Sequence, residues 1–207
     1  ISRDEAMKVI KKGETKCDAA NDLAGRLKHL LLLTVFVFVA GCSSERNIVF
    51  IEAESFESKG GWVVDQQFMD VMGSPYLMAH GLGKPVADAS TIINIPADAY
   101  YRLWVRTKNW TAPFTDSPTP GVFKILINKK ELPFLFGSGA GGWHWEDGGI
   151  LKLKNGDNQI IIRDMAGFNG RIDAILLTTD NDMLPPDSVS VLNEKRREWL
   201  KLPVEAP

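Results

Sequence analysis

The chain has little sulfur and little imidazole to work with: its 207 residues include 2 cysteines and 3 histidines. Cys17 stands in a polar leader and Cys42 closes an apolar run, so no cysteine pair remains inside a folded region to staple it. His29 flanks the same run, which leaves His80 and His144 and no zinc site of imidazole and thiolate ligands. An excess of one charge is missing too. The formal net charge is −2 with both signs dispersed, so nothing marks a nucleic-acid surface. A second long apolar run, a repeat of fixed period and a low-complexity tract are all absent. No Gly-x-Gly-x-x-Gly follows a strand, and the glycine-rich Gly137–Gly142 stretch leads into Trp143 and another strand. That context excludes a phosphate cradle and leaves no flavin site in the sequence.

What is present is apolar and aromatic: 44% hydrophobic residues with 6 tryptophans, enough for a packed domain. The apolar run Leu30–Ala40 follows Arg26, Lys28 and His29, and ends Val39-Ala40-Gly41-Cys42 before Ser43 and Ser44. A membrane span needs about 20 apolar residues, so this shorter run reads as a secretory signal. Its ending on cysteine resembles the lipobox of bacterial lipoproteins, which implies acylation of Cys42 and a cell-envelope location on the periplasmic or outer-surface side of a membrane. The alternative is a buried core helix with a chance cysteine. The expected organisation is a leader and signal over 1–41, a lipidated tether over 42–47, a β module over 48–180, and a linker with a helix over 181–207 leading to a further domain.

From Ile48 to Thr179 short alternating segments are broken by Gly, Pro, Asn and Asp, the pattern of strands. Ile48–Glu54 opens the set, and Thr91–Ile95 ends at Pro96. Tyr101, Leu103 and Val105 alternate with Arg102, Trp104 and Arg106. Phe123–Ile127 turns at Asn128-Lys129-Lys130 toward Leu132–Phe136. Ile150–Leu153, Gln159–Arg163 and Arg171–Thr178 complete it. Many short strands without interleaved helices predict an all-β, jelly-roll β-sandwich. One weakly amphipathic helix, about Ser188–Leu200, follows Pro185-Pro186 and reads as an exit linker.

Four stretches in order carry a family likeness: Ile51-Glu52-Ala53-Glu54, Tyr101–Arg106, Gly142-Trp143-His144-Trp145 with Asn155–Ile160, and Arg171-Ile172-Asp173-Ala174-Ile175. Together they resemble carbohydrate-binding modules of families six and thirty-five, which have a galactose-binding-like sandwich. A narrower likeness lies in Gly60–Asp65, Ser74–Leu77, Trp104–Thr107 and Asp173–Asp180. These resemble modules in front of bacterial flavin-dependent oxidoreductases, and imply a catalytic domain following the module.

Glu52 and Glu54, two apart on the expected strand, would project from one face. Like charges so placed call for a cation between them, and oxygen ligands suit Ca²⁺. The resemblance implies a structural calcium on Glu52, Glu54 and Asp173. The alternative is a solvated acidic face with Asp173 paired to Arg171 or Arg106. Trp62, Trp110, Trp143 and Trp145 stand in or beside turns rich in Gly and Pro, where flat rings can hold a sugar. Trp110, Trp145 and Trp62, with Asn109 and Asp147 as polar partners, are the expected ligand-binding set, and the alternative is that these rings plug the sandwich ends. Adjacent Glu146 and Asp147 would face opposite ways on a strand, and Ser74 and Ser90 lack a nucleophile's context. No catalytic residue is expected. The sequence therefore reads as a non-catalytic glycan-binding module, with a docking module as alternative and a small hydrolase ranked last.

Overall fold

The computed structural model describes residues 46–114 and 120–202. Cys42 and the apolar run before it lie outside the described residues. The strands are β1 (Ile48–Glu52), β2 (Val63–Asp65), β3 (Tyr76–Ala79), β4 (Ala89–Ile95) and β5 (Ala99–Thr107). They continue as β6 (Phe123–Ile127), β7 (Lys130–Glu131), β8 (His144–Leu153), β9 (Gly156–Asp164) and β10 (Gly170–Thr178). A 3₁₀ turn (Ala53–Ser55) follows β1, helix α1 (Met69–Met72) precedes β3, and helix α2 (Val189–Trp199) follows the last strand.

All pairings are antiparallel. One sheet runs β2-β3-β10-β5-β8, with β1 also paired to β10, and the other runs β4-β9-β6-β7. This is the two-sheet sandwich expected from the alternation. Tyr101, Leu103 and Val105 are fully buried between the sheets with Ile125, Ile160, Ile162, Ile172, Ile175 and Leu177. The period-2 rule that buries them sends Arg102, Trp104 and Arg106 to the opposite face.

That opposite face is covered as well. Phe50, Trp104, Ala174 and Leu176 form a second apolar cluster, against which Trp145, Met183, Trp199 and Leu200 pack. The C-terminal helix is thus more than the expected exit linker: Leu192 is fully buried, and Trp199 lies 5.3 Å from Phe50 ring to ring. Close approach of α2 depends on Gly73, whose φ of +79° ends α1 and where an added Cβ would stand 2.3 Å from Asn193 Oδ1.

Several boundaries differ from expectation. The first strand ends at Glu52, so Glu54 sits on the 3₁₀ turn and not on a shared strand face. The strand after the Asn128-Lys129 turn is only Lys130–Glu131, and Phe136 returns as an isolated bridge to Phe123. β8 begins at His144, because His144–Asp147 pair with Trp104–Thr107.

Candidate functional site

Two assemblies of polar and aromatic side chains stand out. The first lies under α2. A register shift in β10 between Ile172 and Ala174 turns the fully buried Asp173 to the helix-covered face. Its Oδ1 accepts from Ser74 Oγ at 2.9 Å, and its Oδ2 accepts from Arg106 Nη1 at 2.9 Å and Arg196 Nη2 at 2.6 Å. Arg196 Nε lies 3.0 Å from Glu52 Oε1. Its Nη1 donates to the Met72 carbonyl and to Asn193 Oδ1. Glu52 Oε2 and Glu54 Oε2 are buried and have no hydrogen-bond partner among the described residues. Burial is the main cause pushing Glu52 up to about 8 and Glu54 up to about 7, with Asp173 adding repulsion and Arg196 opposing both.

The structure brings Glu52, Glu54 and Asp173 into one neighbourhood, as the expected calcium set requires, but their arrangement does not fit a metal. Asp173 already accepts from a hydroxyl and two guanidinium groups, and the cations among the carboxylates are Arg106 and Arg196. Among the described residues no group of three His, Cys, Asp or Glu side chains is placed to hold a metal ion. Of the alternative pairings for Asp173, Arg106 is the one formed.

The second assembly lies where β3, β5 and β10 run into loops. Trp110 stacks on Phe168 with centroids 5.6 Å apart and planes at 21°, and its Nε1 donates to the Phe168 carbonyl at 2.9 Å. Gly121 permits this, since a Cβ there would stand 3.0 Å from the indole nitrogen. The Arg171 guanidinium lies 5.5 Å from the Trp110 ring centroid, and Lys108 Nζ lies 4.3 Å over Phe68. Phe68 and Tyr76 in turn meet Trp143, at 6.1 and 5.0 Å. Among the described residues neither Lys108 nor Arg171 has a carboxylate in ion-pair distance. Arg171 is 8% exposed; its Nη1 donates to the Asn169 carbonyl at 3.1 Å, and its Nε has no hydrogen-bond partner among the described residues. Burial and the charge of Arg171 hold Lys108 below the usual lysine range. Phe168, at 43% exposure, turns an open apolar face to solvent beside these cations.

The expected ligand-binding residues divide. Trp110 belongs to this open assembly. Trp62 does not reach the surface: it is 3% exposed and meets Phe123 edge-on in the core, so its placement in a ligand site is corrected. Trp145 is corrected likewise, because its ring packs under the C-terminal segment and its Nε1 donates to the Pro186 carbonyl. Asn109 is spent on structure. Its Nδ2 donates to the Ser138 and Gly139 carbonyls, and its Oδ1 accepts from Thr111 N and Oγ1. Asp147 pairs with Arg102 at 2.6 Å, which lowers its pKa, and stands on β8 away from the Trp110 loop. Glu146 accepts from Gly137 N and Gly139 N, pinning the glycine-rich loop, and its Oε1 lies 3.2 Å from His144 Nε2, which raises the His144 pKa.

Phe168, Arg171, Lys108 and Arg196 were not singled out from sequence as site residues. The available signals were an exposed-type loop aromatic after Gly167 and an arginine placed three residues before Trp199.

No protein-family model and no characterised protein sequence matches the chain. Solved structures do. The GH26-CBM35 β-(1,4)-mannanase of Podospora anserina matches with a TM-score of 0.52 at 21% identity, over 67% of this chain and 29% of that one. A family 35 carbohydrate binding module from Clostridium thermocellum matches with a TM-score of 0.50 at 19% identity, over 63% of this chain and 97% of the module. The chain therefore has the fold of carbohydrate-binding modules, as its four sequence stretches implied, while spanning under a third of the mannanase chain.

Proposed function

We propose that this chain is a non-catalytic glycan-binding module whose ligand surface is the Trp110–Phe168 stack with Arg171 and Lys108. One observation carries the reading: an open aromatic face borders two cations that have no carboxylate partner among the described residues, one of them buried. Apolar ring contact plus a few fixed donors is how proteins hold sugars. The Arg171 guanidinium spends one donor on the Asn169 carbonyl and leaves its Nε without a partner among the described residues, a cost that a ligand carboxylate or hydroxyl would recover. The cations accordingly favour an acidic glycan over a neutral one.

The envelope setting belongs to the same proposal. Acylation at Cys42 would hold the module on a membrane, and the module would present a following flavin-dependent oxidoreductase domain to a glycan-rich surface. A single acyl chain anchors weakly and a second holds firmly. Incorporation of labelled fatty acid that is lost in Cys42→Ser supports this part, and its absence from the unchanged chain refutes it.

Affinity electrophoresis through gels loaded with neutral or acidic polysaccharides tests the binding reading. Retardation by an acidic gel, weakened in Lys108→Ala, is the expected result. Equal mobility in every gel refutes it.

A further inference from the structure

We infer that Arg196 is the cation around which the Glu52–Glu54–Asp173 cluster is built, so that the C-terminal helix completes the sandwich and the fold balances this charge without a divalent ion.

The geometry is that of a plug. Arg196 is 5% exposed and touches β1, α1 and β10 together, through Glu52, the Met72 carbonyl and Asp173. Its planar fork sets an Nη2 donor on Asp173 while Nε stands in ion-pair distance of Glu52 and Nη1 donates to the Met72 carbonyl, an arrangement that a lysine's point charge cannot reproduce. Two guanidinium groups face three carboxylates, and Glu52 Oε2 and Glu54 Oε2 are buried without a hydrogen-bond partner among the described residues, so one proton held on this pair of glutamates completes the balance. Both Asp173 oxygens are already accepting, three hydrogen bonds in all, two of them from guanidinium groups that stand where a divalent ion would have to approach Oδ2. The apolar contacts of Leu192 and Trp199 seat the helix, and Gly73 clears the space for Asn193 beside the arginine. Residues 188–202 are therefore part of the domain's charge balance as well as of its outer apolar layer.

The test is thermal unfolding of the full chain, unchanged and as Arg196→Met and Arg196→Lys, each with chelator and with millimolar calcium. The unchanged chain should melt at one temperature in both conditions. Arg196→Met, which leaves buried carboxylates unmatched, should melt lower by on the order of 10 °C, and Arg196→Lys should recover part of that loss. Adding Glu52→Gln to Arg196→Met should restore several degrees, since it removes one unmatched carboxylate; loss of helix packing alone would not respond to that change. A melting temperature of the unchanged chain that rises with calcium or falls with chelator overturns the inference. So does an Arg196→Met protein as stable as the unchanged one. If Arg196→Met does not fold, Arg196→Lys and the chelator comparison decide between the same outcomes.

Discussion

Raising the pH from about 5 to about 8 should loosen this domain, and the cause lies in two glutamates beneath the C-terminal helix. In the unfolded chain both carboxyls ionise near 4.5, whereas burial holds Glu52 up to about 8 and Glu54 up to about 7 in the fold. Between those limits the folded state keeps protons that the unfolded state has lost, so stability is full below the unfolded value and falls as pH rises. The groups facing this cluster are Arg196 from α2, Arg106 from β5, Asp173 from β10 and Lys59 from the loop after the 3₁₀ turn. With three carboxylates against two guanidinium groups, one retained proton suffices. At roughly 1.4 kcal/mol per pH unit, the loss is on the order of 3–4 kcal/mol across the window. Urea unfolding with a slope of about 1–3 kcal/mol/M should then show a midpoint lower by roughly 1–4 M at the alkaline end. Glu52→Gln with Glu54→Gln, which mimic the protonated forms, should flatten most of the decline. His144, raised by Glu146, contributes in the same direction, and a His144→Gln background separates its share. A midpoint that is level or rises over this range refutes the reasoning, as does an unchanged slope in the double variant.

Two substitutions test the reassignment of expected ligand residues. Trp62→Ala should cost about 3–5 kcal/mol as a large-to-small core change, read as a lower urea midpoint; near-wild-type stability would mean that the ring is not a core element. Asp147→Asn breaks a pair with Arg102 whose side chains are 28% and 40% exposed, so the change should stay within about 1 kcal/mol and leave glycan binding untouched. Weakened binding in Asp147→Asn would return this residue to the ligand site.

The sheets were legible because their residues alternate. Tyr101–Val105 and Phe123–Ile127 each place one set of side chains in the core, and the period alone assigns them. The sequence also carried a sign that the other face is covered, since Phe50, Trp104 and Leu176 fall there, but what covers it could not be read locally. Arg196 lies 23 positions beyond Asp173 in the chain, and their contact exists only because α2 folds back across the sheet. Read without that docking, Glu52 and Glu54 call for a cation and leave its identity open. Trp145 misled for a related reason. Glycines before it look like an open loop, but pairing of His144–Asp147 with β5 draws it under the C-terminal segment. Trp110 was found by its polar loop, whereas Phe168 and Arg171 come from around β10, and only the closure of the sheet brings them beside it.

Titration calorimetry on the Trp110–Phe168 surface tests the central claim most directly. The unchanged chain and Phe168→Ala are each titrated with acidic polysaccharide fragments, and both are melted in parallel. Since Phe168 is 43% exposed, its truncation should leave the melting temperature nearly unchanged. Loss of a stacking contact should weaken binding by roughly tenfold. Absence of binding by the unchanged chain, or equal affinity of the two proteins, would contradict a glycan site at this stack.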